Sequence, residues 1–213
     1  MPRKPEQGES SEFLWLISLS DLMILLFIFF VVLYSFSAKK MNQSDVAKVL
    51  SVFKNEKVAD PVQNIEVDVR KWVKDSGLKD QVDVTTSDDT LSLEIKDQVL
   101  FGSGRHQIHS QGATALRNLK SVLERIPAPY QLGIEGHTDD TPIHTDQVRD
   151  NWELASRRAH SVFMLLNLSE DLRKRTVLMS HGPMKPIANN RDDQGRPILK
   201  NQIKNRRVTL RVF

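Results

Sequence analysis

The residue that stands out for its chemistry is an acid surrounded by apolar sequence. Asp21 lies eight residues inside the stretch 13–36, FLWLISLSDLMILLFIFFVVLYSF, and residues 22–34 are uninterrupted apolar sequence. A helix of these 24 residues covers roughly 36 Å, enough for a hydrocarbon core of ~30 Å with some tilt, and sets Asp21 about 12 Å deep. Trp15 and Tyr34 sit near the two ends, as interfacial aromatics do. An acid at that depth costs ~2.5–3.5 kcal/mol on the milder insertion scales, and such residues face a protein interior or a water path. The chemistry open to it is to bind and release a proton or a small cation, with Ser18 and Ser20 lining its face or its access. Three plainer readings stand beside this one. Arg3 and Lys4 before the run, and Ser35-Phe36-Ser37-Ala38 after it, resemble a cleaved signal peptide, although an Asp just before the apolar core is unusual there. Asp21 is alternatively an interfacial acid that snorkels. A buried helix of a soluble core is disfavoured by the all-round apolar character of 22–34.

The second group of chemistry-bearing residues is a polar loop, 136–149, holding Thr138, Asp139 and Asp140, followed by a predicted helix with Arg157 and Arg158. Other constellations are weak. The six histidines, His106, His109, His137, His144, His160 and His181, offer no HExxH pair and have no cysteine partners. No metal site is therefore expected, and His137 is read as propping the loop by hydrogen bonding. Gly102-Ser103-Gly104 lacks the third glycine of a dinucleotide fingerprint, and no GxSxG elbow exists. Catalysis of covalent chemistry is not expected. The absence of cysteine excludes disulfides, cysteine nucleophiles and an acylated lipoprotein anchor. A net charge of +3, with 30 basic residues spread among 27 acids, gives nucleic-acid binding little support.

The elements that position these groups follow from hydrophobic periodicity. The 213 residues accommodate a membrane segment and one domain of ordinary size. After the apolar stretch, Val46, Val49, Leu50 and Phe53 fall at i, i+3, i+4 and i+7, the stripe of an amphipathic helix with Ser44 as a plausible N-cap. It either packs on its own protein or lies along a membrane or partner. From Ile65 the pattern is that of a mixed α/β domain. Ile65, Val69, Trp72 and Val73 suggest a helix stopped near Gly77. Strands are predicted at 82–85, 91–95, 130–135 and 207–213, and helices at 110–125 and 152–166. The order β-α-β-α-β, with hairpin extras, gives one mixed sheet covered by helices. The Arg206-Arg207 pair is expected to meet acids of the domain.

Three motifs in order carry a resemblance. Glu135-Gly136-His137-Thr138-Asp139-Asp140 resembles the GHTD(D) loop of OmpA-like peptidoglycan-binding domains. Asn151-Trp152-Glu153-Leu154-Ala155-Ser156-Arg157-Arg158-Ala159 resembles the helix start of the MotB branch, and Asn205-Arg206-Arg207-Val208 its terminal NRRV. Ser20-Asp21-Leu22-Met23 is similar to the acid-bearing helix of MotB and PomB flagellar stator subunits, and 46–53 occupies the place of the family's plug helix. The resemblance implies a cytoplasmic tail (1–12), a transmembrane helix (13–37), a plug-like helix (42–57), a linker (58–64) and a periplasmic OmpA-like domain (65–213). It implies that Asp139 takes the ammonium, and Arg158 the carboxylate, of a diaminopimelate in peptidoglycan. Asn151, two helical turns before Arg158, would face the same cleft, and Thr138 would add a hydrogen bond. It further implies a homodimer inside a ring of MotA-like subunits in the bacterial inner membrane, with the N-terminus cytoplasmic. No cofactor is implied beyond the transported ion, a proton or sodium, with the proton preferred. Alternatives are a passive wall tether, or a motor with a non-flagellar output such as anti-phage defence.

Overall fold

The computed structural model describes residues 9–38, 61–87 and 90–213. The chain divides into two units, Met1–Val58 and Ala59–Phe213.

In the first unit, α1 (Glu9–Ala38) is a single helix of 30 residues, somewhat longer at both ends than the sequence predicts. Its segment Trp15–Tyr34 is long and apolar enough to cross a membrane. The side chains of that segment, Asp21 included, are exposed within the unit, the state expected of a helix whose solvent is lipid or a partner. The segment 42–57 read as plug-like, with Val46, Val49, Leu50 and Phe53, lies outside the described residues.

The second unit begins with α2 (Pro61–Asp75). Residues 61–64, expected to end the linker, instead form the first turn of this helix. Proline is suited to that position because its fixed φ is helical and its missing N–H is an orphan there anyway. Val62, Ile65, Val69, Trp72 and Val73 line its buried stripe. The helix stops where Gly77 turns left-handed at φ 67°. Leu78 N donates to Val73 O and Gly77 N to Lys74 O, the paired bonds that satisfy the last carbonyls of a helix.

Next come β1 (Val82–Ser87) and β2 (Thr90–Lys96), then a short 3₁₀ turn, Asp97–Val99. Helix α3 (Ser110–Leu123) leads to β3 (Leu132–His137), and α4 (Asn151–Leu166) and α5 (Glu170–Lys174) lead to β4 (Thr176–Gly182). Helix α6 (Leu199–Asn205) precedes β5 (Arg207–Val212). The five strands form one mixed sheet in the order β1-β2-β5-β3-β4, with β3 and β4 parallel and the other neighbours antiparallel. The α/β class expected from the sequence is therefore observed.

Alternation along β2 buries Leu91, Leu93 and Ile95, and these meet Val208, Leu210 and Val212 of the central strand β5. Leu116, Leu119, Val122 and Leu123 of α3, with Ala159, Val162 and Leu166 of α4, complete the same core.

Two departures from the sequence reading matter for the site. Strand β4 is not predicted, since TVLMSHG shows no alternation and forms an exposed edge. Gly136 and His137, read as loop, belong to β3 and pair with Val208 and Arg207. Gly136 is required there by a close approach. A Cβ at that position would lie 2.1 Å from the carbonyl oxygen of Ala155 in α4. The backbone of α4 thus rests directly on β3, which sets the start of α4 beside the loop that leaves the strand.

Candidate ligand cleft of the C-terminal domain

The loop after β3 and the first turns of α4 enclose a cleft of about 450 Å³. Thr138, Asp139, Asn151 and Arg158, all singled out from sequence, line it together with Asp97, Phe101 and Arg206. The fold explains the convergence. Asp150 caps α4 by accepting from Glu153 N at 2.8 Å. Asn151 then donates through Nδ2 to the carbonyl oxygens of Thr141 (2.8 Å) and Asp139 (3.4 Å), pinning the loop to the helix start. Thr138 is held to β4 through its N–H to Gly182 O (2.9 Å).

The charges of the cleft alternate. Asp139 Oδ1 accepts from Thr141 N at 3.0 Å, and Oδ2 accepts from Arg206 Nη1 at 2.5 Å. Arg206 Nε lies 3.5 Å from Asp97 Oδ2, which in turn lies 3.2 Å from Arg158 Nη2. Arg158 is 1% exposed. Its Nε donates to Arg105 O at 3.0 Å, and its guanidinium carbon stands 5.1 Å from the centroid of Phe101. Among the described residues its Nη1 has no hydrogen-bond partner, nor has the buried hydroxyl of Thr138. Burial raises the Asp97 carboxyl pKa, and the guanidinium groups of Arg158 and Arg206 oppose that shift. Burial also lowers the Arg158 pKa, opposed by Asp97; an arginine remains a cation throughout. The cleft thus presents two carboxylates and two guanidiniums, with donors left unpaired inside it. Such a set accepts a ligand that carries both an ammonium and a carboxylate.

The structure brings Asp139 and Arg158 to one cleft, and the sequence reading left out what holds them there. Asp97 and Phe101 come from the turn after β2, and Arg206 from the C-cap of α6, directly before β5. The acids expected to pair with Arg206 and Arg207 are found: Asp139 and Asp97 for the first, Glu94 for the second at 3.3 Å.

His137 departs from its expected role. Both of its ring nitrogens are buried without a hydrogen-bond partner among the described residues. Its Nε2 lies 3.4 Å from Glu135 Oε2, in ion-pair range but not in hydrogen-bond geometry. His181 of β4 joins them, its Nε2 3.2 Å from the same carboxylate oxygen. Burial lowers the pKa of both imidazoles, against the pull of Glu135, and so favours their neutral forms. Burial of Glu135 disfavours its charge, yet His137, Arg211 and His181 outweigh it and its pKa is lowered. The 44 residues from His137 to His181 concealed this cluster from sequence reasoning.

Fold and cleft together define a class: a helix fit to cross a membrane in one unit, and an OmpA-like α/β domain in the other. Comparison with known proteins agrees. Residues 2–56 match the family model described as membrane MotB of the proton-channel complex MotA/MotB, and residues 100–199 match the OmpA family. Motility protein B of Bacillus subtilis is 27% identical, covering 99% of this chain and 94% of its own. The B. subtilis protein YtxE is 26% identical over 90% of this chain and 86% of its own. The solved cell wall anchor of the type VI secretion system (T6SS) of Pseudomonas aeruginosa shares the fold at a TM-score of 0.57 and 24% identity, covering 67% of this chain and 94% of that one. Over nearly its whole length the chain is similar to MotB-family proteins, and its C-terminal unit carries an OmpA-like domain.

Proposed function

We propose that this protein is the wall-anchored subunit of an ion-driven stator. The observation that carries the reading is the convergence of Asp139 and Arg158 on one cleft of alternating charge. Diaminopimelate in peptidoglycan offers the matching ammonium and carboxylate. In this reading Asp139 receives the ammonium. The unpaired Nη1 of Arg158 turns toward the carboxylate, Thr138 adds its hydroxyl, and Asn151 keeps the loop in register. The reaction class is binding and transport, with no covalent chemistry.

The motor half of the reading rests on Asp21, within a helix otherwise fit for lipid. Its carboxylate alternately binds and releases a proton or sodium ion. Each neutralisation changes which arrangement with a MotA-like ring around the homodimer is favoured. With the domain gripping the wall, that change becomes torque on a rotor. The domain must face peptidoglycan, so the protein sits in the inner membrane with its N-terminus in the cytoplasm. Segment 42–57 acts as a plug that closes the ion path before assembly.

The decisive experiment is Asp21→Asn in a complemented motility assay. Motion should be lost while expression and co-sedimentation with purified peptidoglycan persist; normal motility would reduce the protein to a passive tether. Replacing sodium by potassium, with and without an uncoupler, assigns the ion. Deleting 46–53 should make cells leaky to it.

A further inference from the structure

The cluster of Glu135, His137 and His181 lies outside the cleft and has no part in the reading above. Glu135 and His137 are two residues apart on β3 and therefore project from the same face of the sheet. That face is opposite to Gly136, which meets α4. His181 reaches them through an irregularity in β4. Gly136 pairs with Ser180, but His137 pairs with Gly182, so His181 is an extra residue in the ladder. Bulges of this kind re-aim a side chain at the cost of local pairing. Gly182 accommodates the bend with φ 48°.

The geometry is that of a ligand set. Glu135 Oε2 stands 3.4 Å from His137 Nε2 and 3.2 Å from His181 Nε2. Donor atoms bound at ~2.0–2.2 Å around a tetrahedral zinc ion are separated by roughly 3.3–3.5 Å. The donor atoms of the three residues all lie within 4.8 Å of one another. The polar groups are also short of partners. Among the described residues both ring nitrogens of His137 are buried without a hydrogen bond, and the Oε1 of Glu135 has only the ion-pair contact of Arg211. A buried imidazole short of partners is unfavourable unless something else satisfies it.

We infer that Glu135, His137 and His181 form a binding site for a divalent transition metal of the zinc class, clasping β3 to β4 immediately before Thr138 and Asp139. Two neutral imidazoles and one carboxylate suit zinc or cobalt better than magnesium or calcium, and leave a fourth position for water. Opposing the cation are Lys185, whose Nζ lies 3.5 Å from His181 Nε2, and Arg211, whose Nη1 lies 3.3 Å from Glu135 Oε1; Arg207 lies on the adjacent strand. Lys185 is the direct competitor, since its ammonium stands against the same ring nitrogen the metal must use. Metal binding requires it to swing away.

The test uses full-length protein in detergent micelles, free of any histidine tag, stripped with chelator and titrated with Co(II). The expected result is one equivalent bound with the visible absorption of tetrahedral cobalt, and a raised melting temperature on adding Zn(II). His181→Gln, at a partly exposed position, should lose the absorption while retaining wild-type circular dichroism. Lys185→Met should tighten binding. The proposal is overturned by an absent cobalt spectrum, by an identical spectrum and stoichiometry in a folded His181→Gln variant, or by unchanged affinity in Lys185→Met. None of these outcomes depends on peptidoglycan binding, so the wall-anchor reading stands or falls separately.

Discussion

Loss of binding after removal of Arg158 will have two causes, and the structure allows them to be separated. Arg158 is both a candidate ligand fork and the main counter-ion of Asp97, itself only 7% exposed. Truncating one partner of a buried ion pair costs about 3–5 kcal/mol, because the other charge is left uncompensated. Arg206 stays 3.5 Å from Asp97, so Arg158→Met should fall at the low end, about 3 kcal/mol. For a unit of 155 residues, Ala59–Phe213, that lowers the melting temperature by roughly 6–12 °C. The deficit should narrow on acidification, because the pKa of Asp97 is already raised by burial and protonation removes the stranded charge. Adding Asp97→Asn should recover most of the stability at neutral pH but none of the peptidoglycan co-sedimentation. Thermal unfolding and sedimentation of the single and double variants measure both. If Arg158→Met melts within about 2 °C of wild type, well under the roughly 6–12 °C expected for about 3 kcal/mol, the ion pair is not structural. If the double variant binds the wall normally, Arg158 is not the fork.

Two further outcomes follow from the positioning of α4. Gly136→Ala places a methyl 2.1 Å from Ala155 O, about 1 Å short of an ordinary C···O contact; it should cost about 1–3 kcal/mol or more and weaken wall binding by displacing Asn151 and Arg158, both read by melting and sedimentation. The pKa of Glu153 is pulled down to about 2, chiefly by the Arg149 N–H, then by the Arg157 and Arg149 side chains. A depressed carboxyl pKa gives stability that is present above the unfolded value, ~4.3, and lost as the pH falls toward 2. Glu153→Gln should therefore flatten the fall in melting temperature between about pH 5 and pH 2.

What the sequence made legible was local. The apolar run around Asp21 announced its helix by length alone, and the stripe from Ile65 to Val73 announced α2. Asp139 and Arg158 were readable because each stands in a compact motif whose residues are neighbours in the chain. What escaped depends on pairings between distant segments. Asp97 follows an ordinary strand and enters the cleft only because β2 lies beside β5, which brings Arg206 to the same cleft. Gly136 read as a loop glycine, since the helix that excludes a side chain from it starts 15 residues later. Strand β4 is an edge with neither alternation nor full burial, and the bulge that redirects His181 leaves no mark in composition.

The charge count of the cleft argues for a zwitterion over either half alone. Two carboxylates and two guanidiniums already balance, so a ligand bearing one ammonium and one carboxylate enters without leaving net charge behind. A ligand whose carboxylate is amidated would bring an ammonium to Asp139 but only a neutral amide oxygen, without the charge, to the unpaired Nη1 of Arg158. Losing one partner of a desolvated charge pair costs about 2–5 kcal/mol, and Arg158 keeps Asp97 in either case, which favours the low end. Soluble stem peptides with amidated diaminopimelate should therefore bind about 30-fold more weakly than the free acid, about 2 kcal/mol, by calorimetry on the same preparation. Equal affinity would mean that the carboxylate is not read by Arg158, and that the guanidinium serves Asp97 and the core alone.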